Sequence, residues 1–359
     1  MPSPVRRLAV IAFIAALVAA CSPSGTGGSP VGATDAGGSA SSGGQPVTLR
    51  LGYFPNLTHA TAIAGIREGI FADALGPDVT LETKPFNAGP EAVEAIFSGA
   101  LDASFIGPNP AINAYAKSNG EAIRIVSGAT SGGAYLVVRP DISSAEDLRG
   151  KKLATPQLGN TQDVALRAWL KEQGLTTDVQ GGGDVSILPQ PNAQTLETFR
   201  SGEIDGAWVP EPWATRLIQE GGGKVLVDER ELWPDGQYVT THLVVTPAFL
   251  DAHPGIVKDL LAGVVEATDF VNADAATAQA VVNEGIKAVT DKPLAEPVIA
   301  AAWPNLTFTV DPITASLETS ATEATELELL DPTDLTGIYD LSLLNEVLRE
   351  AGRPEIPQP

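Results

Sequence analysis

Sulfur and imidazole are nearly absent from this chain. Its 359 residues include one cysteine, one methionine and three histidines. A lone cysteine excludes any disulfide within the chain, so the fold must rely on its core. The sequence has no second cysteine to serve as a nucleophile, no serine-centred elbow motif and no metal-spaced histidine cluster. It also lacks the Gly-x-x-x-x-Gly-Lys-Ser/Thr phosphate loop. Positive charge is scarce: 22 Lys and Arg stand against 44 Asp and Glu, a net charge of −22. That balance excludes nucleic acid as a partner and excludes polybasic adhesion to membranes. An anionic ligand would have to be selected by local N–H dipoles rather than by net charge. Only 18% of residues are charged, which suits a well-buried α/β protein.

Arg6 and Arg7 precede an apolar run of 13 residues, Leu8 to Ala20. The run is too short to span a bilayer and suits the core of a signal peptide. It ends in Val18-Ala19-Ala20, small residues that favour cleavage just before Cys21. The start is similar to a bacterial lipoprotein signal, which implies residues 1–20 as signal peptide and Cys21 as the acylated N-terminus. An ordinary secretory signal with an incidental cysteine is the alternative. Residues 22–46 are mostly Gly, Ser, Ala and Pro with the single charge Asp35, and carry no apolar period. With Cys21 they form a flexible tether, residues 21–46, whose root-mean-square span is about 25–30 Å.

The remaining body exceeds one ordinary core, so two lobes are expected. The chain is organised around Ala154 to Asp163. Lys152–Thr155 is a short strand, and Leu166, Trp169, Leu170 and Gln173 recur at helical spacing after it. Between them lie Gln157, Gly159, Asn160, Thr161 and Gln162, with Asn160 or Thr161 placed to cap the helix. The first N–H groups of a helix lack internal partners, and the macrodipole makes that end positive. Such a loop holds a small anion without formal charge; a capped helix start facing water is the plainer reading.

Strands and helices alternate from Thr48 onward. Strands are expected at 48–53, 79–84, 103–106 and 238–245. Helices are expected at 60–68, with Thr58 as cap, and at 91–98, 111–119 and from Ser143 or Ser144 to Gly150. The alternation predicts parallel sheets with functional loops at the carboxyl ends of the strands. One stretch repeats. Phe97-Ser98-Gly99-Ala100-Leu101-Asp102-Ala103-Ser104-Phe105 matches Arg200-Ser201-Gly202-Glu203-Ile204-Asp205-Gly206-Ala207-Trp208. The match predicts two lobes of one plan, each turning a proline-rich loop, Gly107–Pro110 or Pro210–Trp213, to a shared cleft. From Ala248 the chain is expected to be mainly helical.

Gly52-Tyr53-Phe54-Pro55-Asn56, Gly99-x-Leu101-Asp102, Gly107-Pro108, Ser131-Gly132-Gly133 and Pro156-Gln157-x-Gly159-Asn160-Thr161-Gln162 occur here in one order. In that order and spacing the chain resembles the periplasmic-binding proteins of sulfonate, taurine and nitrate uptake. The resemblance covers roughly residues 49–245. It implies a type II periplasmic-binding-protein fold, α/β, with two lobes of mostly parallel sheets joined by two crossover strands. The implied crossings lie near Val138-Arg139 and Thr241-His242. Lobe 1 is then 47–138 with 242–359, and lobe 2 is 139–241. The implied role is capture of a small anionic solute for an ABC permease and a separate ATPase subunit. The protein would act as a monomer, without cofactor, metal or nucleic acid, on the outer face of the membrane and tied to it by lipid alone. Ligand contacts are implied for Pro55, Asn56, Thr58, His59, Pro108, Asn109, Ser131, Gly132 and the Gln157–Gln162 loop.

Other residues flank that cleft. Glu211 repels a second acid but suits an ammonium, which admits taurine; a solvated loop residue is the equal alternative. Trp213 is placed to pack on an apolar part of the ligand, whereas Trp208 belongs to a core strand. His59 and His242 donate a hydrogen bond when neutral and favour an anion when charged. Nitrate, bicarbonate and a thiamine pyrimidine precursor are alternative solutes, and Tyr53, Phe54 and Trp213 are the aromatics available to a pyrimidine. An enzyme of the same fold is a rival, with His59, His242 and Glu211 as its only acid–base groups. A structural or adhesive lipoprotein is a third possibility.

Overall fold

The computed structural model describes residues 46–359. The expected signal peptide, Cys21 and nearly all of the tether lie outside the described residues. Among the described residues no helix is long and apolar enough to cross a membrane.

Among the described residues, eleven strands form two sheets. They are β1 (Val47–Tyr53), β2 (Val79–Pro85), β3 (Ala103–Ile106), β4 (Arg124–Gly132), β5 (Ala134–Val138), β6 (Lys152–Thr155), β7 (Ser186–Pro189), β8 (Gly206–Pro210), β9 (Lys224–Asp228), β10 (Val239–Val245) and β11 (Leu306–Phe308). The six-stranded sheet has the order β11-β4-β10-β3-β1-β2, and the five-stranded sheet β7-β6-β8-β5-β9. The order β2-β1-β3-β10-β4 in one therefore matches β7-β6-β8-β5-β9 in the other. In each, three parallel strands are followed by one antiparallel strand. This is the mixed α/β architecture that the β-α alternation predicts.

The sequence repeat is a repeat of structure. Asp102 and Asp205 each precede the third parallel strand of their sheet. The N–H of Arg50 donates to Asp102 Oδ2 at 2.8 Å, and the N–H of Lys152 donates to Asp205 Oδ2 at 2.8 Å. Each aspartate N–H donates back, to the Arg50 carbonyl at 2.9 Å and the Lys152 carbonyl at 2.8 Å. Each aspartate carbonyl accepts from the residue just past the antiparallel strand, Thr246 N–H at 2.8 Å and Arg139 N–H at 2.9 Å. The shared Ser-Gly-x-x-Asp pattern thus clamps three chain segments in the same way twice. Gly99 and Gly202 end the preceding helices with φ of +69° and +86°, where a side chain would be strained.

The chain passes between sheets at Gly133 and again between β9 and β10. The first passage was expected near Val138-Arg139; β5, however, pairs with β8 and β9 along its whole length. The physical reason is local. Gly132 and Gly133 have φ of +78° and +77°, which turns the chain out of β4, and a Cβ at Gly133 would strike the Leu306 side chain. The second passage likewise precedes Thr241-His242, since β10 lies wholly in the six-stranded sheet.

Each sheet is covered on both faces. Helices Ala60–Arg67, Pro254–Ala273 and Ala275–Thr290 pack Ile63, Leu261 and Val282 against one face of the larger sheet. Helices Gly89–Phe97, Pro108–Lys117 and Thr314–Glu326 cover the other with Ile96, Ile112 and Leu317. In the smaller sheet, helix Thr161–Glu172 places Leu166 and Leu170 on one face, and Asn192–Ser201 with Trp213–Gln219 place Phe199 and Leu217 on the other. Trp208 is fully buried on β8, as expected of a core strand. Two local expectations change. A single turn, Leu57–His59, runs straight into helix Ala60–Arg67, so the entering N–H groups find turn carbonyls and Thr58 does not cap. The segment after Ser143 forms only the turn Glu146–Leu148, because Asp147 accepts the N–H groups of Ser143 and Ser144 at 2.9 and 3.0 Å.

Candidate functional site

The carboxyl ends of six parallel strands meet between the two sheets. Phe54, Asn56, Thr58 and His59 follow β1; Asn87 follows β2; Gly107 and Pro110 follow β3. Opposite them, Pro156, Asn160, Thr161 and Gln162 follow β6, Asn192 follows β7, and Pro210 ends β8. Together with Thr240 of β10 they enclose a cavity of about 30 Å³. Such a space admits a group of a few non-hydrogen atoms. The walls approach closely at Gly107, where an added Cβ would collide with Thr161 Oγ1. Among the described residues no carboxylate, lysine or arginine lines this cavity.

The hydrogen bonds of the wall share one pattern. Asn56 Oδ1 accepts from Trp213 Nε1 at 2.9 Å, which leaves Nδ2 of Asn56 as the free end. His59 Nδ1 accepts the Phe54 N–H at 3.3 Å, so its proton sits on Nε2. Burial pushes the His59 pKa down to about 3, so the ring is a neutral donor at ordinary pH. Asn160 Oδ1 caps its helix by accepting the Asp163 N–H at 2.9 Å, and its Nδ2 donates to Gln162 Oε1 at 3.1 Å. Gln162 is left with Nε2 free. In three side chains, then, the acceptor end is tied inside the protein and the donor end remains. The main-chain N–H groups of Thr161 and Gln162 add two donors without partners among the described residues. Asn87 departs from the pattern: its Nδ2 donates to Glu91 Oε2 at 3.3 Å, at the exposed rim.

The helix start also holds a charge that the sequence reading did not place. Asp163 is fully buried in the first turn. Its carboxylate accepts the Gly159 N–H at 3.0 Å, Thr155 Oγ1 at 2.8 Å and Arg167 Nε at 3.0 Å. The protein's own anion therefore takes up the Gly159 donor, and the positive helix end is partly neutralised from within. Free donor capacity is confined to Thr161 and Gln162. The i, i+4 spacing of Asp163 and Arg167 was the available signal.

The sequence-predicted residues fall into three sets. Asn56, Thr58, His59, Asn160, Thr161 and Gln162 line the inner cavity. Pro55 and Trp213, with Asn56, line a groove of about 710 Å³ beside it. Pro108, Asn109, Ser131, Gly132, Gln157, Gly159, Glu211 and His242 line neither. Asn109 Nδ2 donates to the Ser320 carbonyl at 3.2 Å. Ser131 pairs with β10 and β11 through the ladder, and the Gly132 carbonyl accepts from Thr240 Oγ1 at 2.6 Å. Pro108 opens helix Pro108–Lys117, and Gln157 accepts the Asn160 N–H through its carbonyl at 3.2 Å. His242 lies buried on β10 with Nε2 3.1 Å from the Pro312 carbonyl, and burial lowers its pKa to about 4. Glu211 is buried rather than solvated. It accepts from Thr215 Oγ1 at 2.8 Å, Thr215 N–H at 3.1 Å and Asn305 Nδ2 at 2.8 Å. Both carboxylate oxygens are thereby engaged within the protein, and Glu211 borders neither the cavity nor the groove.

Asn87, Asn192 and Thr240 were missed. Asn87 and Asn192 sit just past parallel strands, the place where α/β sheets bind ligands, and that position was their signal. Thr240 lies inside an apolar strand, and no local pattern marks it.

Comparison with solved structures defines the class. The fold matches the alkanesulfonate-binding protein of Xanthomonas axonopodis pv. citri bound to MOPS, with a TM-score of 0.69 and 18% identity over 83% of this chain and 99% of that one. It matches the periplasmic nitrate-binding protein of Synechocystis PCC 6803 with a TM-score of 0.69 and 18% identity, over 87% and 91% of the two chains. The architecture is that of the periplasmic binding proteins, with the cavity between two sheets of like topology. The chain belongs to the NMT1-like family, whose profile matches residues 42–284. Among relatives, the taurine-binding periplasmic protein of Escherichia coli K12 is 29% identical over 188 residues, covering 52% of this chain and 56% of that protein. The bicarbonate-binding protein of Synechococcus elongatus is 26% identical over 257 residues, covering 65% and 55%.

Proposed function

We propose that this chain is the exported, lipid-anchored solute-binding protein of an ABC importer, and that its solute is a small sulfonate-like anion. The observation that carries this reading is the donor pattern. Asn56, His59 and Gln162 turn N–H groups into the cavity while their acceptor atoms are occupied elsewhere. An oxyanion offers only acceptors, and neutral donors in a desolvated pocket serve it without help from net charge. Relatives named for taurine and bicarbonate support an anion of modest size. Within the sulfonates, an aliphatic sulfonate is favoured over taurine, because Glu211 already accepts from Thr215 and Asn305 and borders neither the cavity nor the groove.

The mechanism follows from the placement of the donors. Asn56 and His59 belong to a loop of the larger sheet and Thr161 and Gln162 to a loop of the smaller, so the solute binds fully only when the two lobes meet. Its differential affinity for that arrangement drives closure. Trp213 to Asn56, Leu57 N–H to the Glu211 carbonyl at 3.2 Å, and Asn305 to Glu211 are the contacts that closure forms. Cys21 carries the lipid, the tether gives reach, and a permease with a separate ATPase receives the solute.

A thermal-shift panel tests this reading. Methanesulfonate, hexanesulfonate, taurine, nitrate, bicarbonate and a pyrimidine precursor are offered separately to the purified protein. A ligand at 100 times its Kd stabilises by about 2.7 kcal/mol, a shift of several degrees. Sulfonates are expected to give that shift. A response to the pyrimidine alone would contradict the donor-lined anion site.

A further inference from the structure

The inner cavity and the groove beside it share a wall: Asn56, Asn87 and Asn192 line both. The two spaces differ greatly in size, about 30 Å³ against about 710 Å³. They differ in chemistry as well. Leu196, Trp213, Ile286 and Leu294 give the groove apolar walls. Its charges largely cancel. Arg216 is held bidentate by Glu220, with Nε at 2.7 Å and a terminal nitrogen at 3.1 Å, and its guanidinium lies 4.7 Å from the Trp213 ring centre. Glu197 and Lys292, which also line it, are of opposite sign. Asn192 marks the junction. It is buried, and its amide makes no hydrogen bond among the described residues.

We propose that this groove is a second compartment of the solute site, built for the uncharged organic body, a chain or ring of about six or more carbons, of an anion whose head occupies the inner cavity. The proposal rests on the anion reading above and specifies its substrate class. Inorganic oxyanions would leave the groove unused. Taurine, whose second carbon bears an ammonium, would place that charge against the apolar walls, where Glu220 is held by Arg216 and Glu197 lies 3.7 Å from Arg200. A longer, uncharged body buries apolar surface on Trp213 and Leu294 and passes the Asn192 amide on its way out.

Isothermal titration of the purified protein with methane-, butane-, hexane- and benzenesulfonate, and with taurine, tests this. Each methylene group buried in the groove is expected to tighten binding about threefold to fourfold. Hexanesulfonate should therefore bind more than a hundredfold tighter than methanesulfonate, and benzenesulfonate far tighter than taurine. Leu294→Glu should flatten the chain-length series and leave methanesulfonate within about twofold of the wild type. Ala193→Glu, at an exposed helix position on the same groove, provides the same test if the first variant unfolds. A flat series in the wild type, with methanesulfonate bound, would overturn the compartment and leave the anion site standing. Taurine binding as tightly as hexanesulfonate would also overturn it. If no sulfonate binds, the anion reading itself fails, and the compartment with it.

Discussion

Trp213 Nε1 donates to Asn56 Oδ1 at 2.9 Å across the space between the two sheets. One side chain thereby orients the donor of another that belongs to the opposite half of the fold. The relationship explains how a cavity lined only by neutral groups acquires a sense of direction. An amide is both donor and acceptor, and it becomes a dedicated donor when its oxygen is held. The same device recurs at His59, through the Phe54 N–H, and at Gln162, through Asn160.

Trp213→Phe keeps the ring and removes the N–H. It is expected to weaken methanesulfonate and hexanesulfonate by the same factor, about fivefold, the worth of one ordinary hydrogen bond of about 1 kcal/mol. Calorimetric titration of both ligands checks this. A loss confined to hexanesulfonate would mean that Trp213 serves the groove alone.

The pH dependence of binding tests the His59 assignment. With its pKa held near 3 by burial, His59 stays neutral from pH 8 to pH 5. Methanesulfonate affinity is therefore expected to be flat over that range. A tenfold tightening on acidification through pH 6.5 would show an imidazolium at the anion instead.

Asp163 and Arg167 lie in a buried pair, and Asp163 also holds Gly159 and Thr155. Asp163→Asn leaves Arg167 charged, buried and without its counter-ion. The expected loss of stability is about 3–5 kcal/mol, read by urea unfolding. A loss below 1 kcal/mol would indicate that water reaches this helix start and that its charges are not sequestered.

Glu229 gives a stability effect of known sign. Burial pushes its carboxyl up to about 8, although Trp208 Nε1 donates to it at 2.7 Å. The unfolded chain releases that proton near 4.5, so the folded state holds one more proton between the two values. Stability from this group falls as pH rises through that window, by up to about 1.4 kcal/mol per unit. Glu229→Gln keeps an acceptor for Trp208 and removes the titration. Its stability relative to wild type should climb from pH 5 to pH 8 in urea unfolding. Parallel curves would contradict the buried, proton-bearing carboxyl.

Much of the fold is legible in the residues because backbone geometry and period constrain it. Gly99 and Gly202 mark left-handed helix ends, and the aspartate three residues on clamps the next strand, so a nine-residue likeness announced two sheets of one topology. The passage at Gly133 was not legible. Leu136-Val137-Val138 is an apolar run that suits either sheet, and only pairing decides between them. In the site, Asn56, His59 and the Asn160–Gln162 turn are visible as polar residues at strand ends. Their partners are not. That Trp213 meets Asn56, that Glu211 accepts from Asn305, and that Thr240 faces the cavity all depend on contacts between segments far apart in the chain.

The most direct test of the central claim is a crystal structure of the protein with hexanesulfonate bound. The account predicts sulfonate oxygens within hydrogen-bond distance of Asn56 Nδ2, His59 Nε2 and Gln162 Nε2, with the alkyl chain running past Asn192 toward Trp213. A sulfonate held elsewhere, or an alkyl chain in the inner cavity with the head group in solvent, would contradict it.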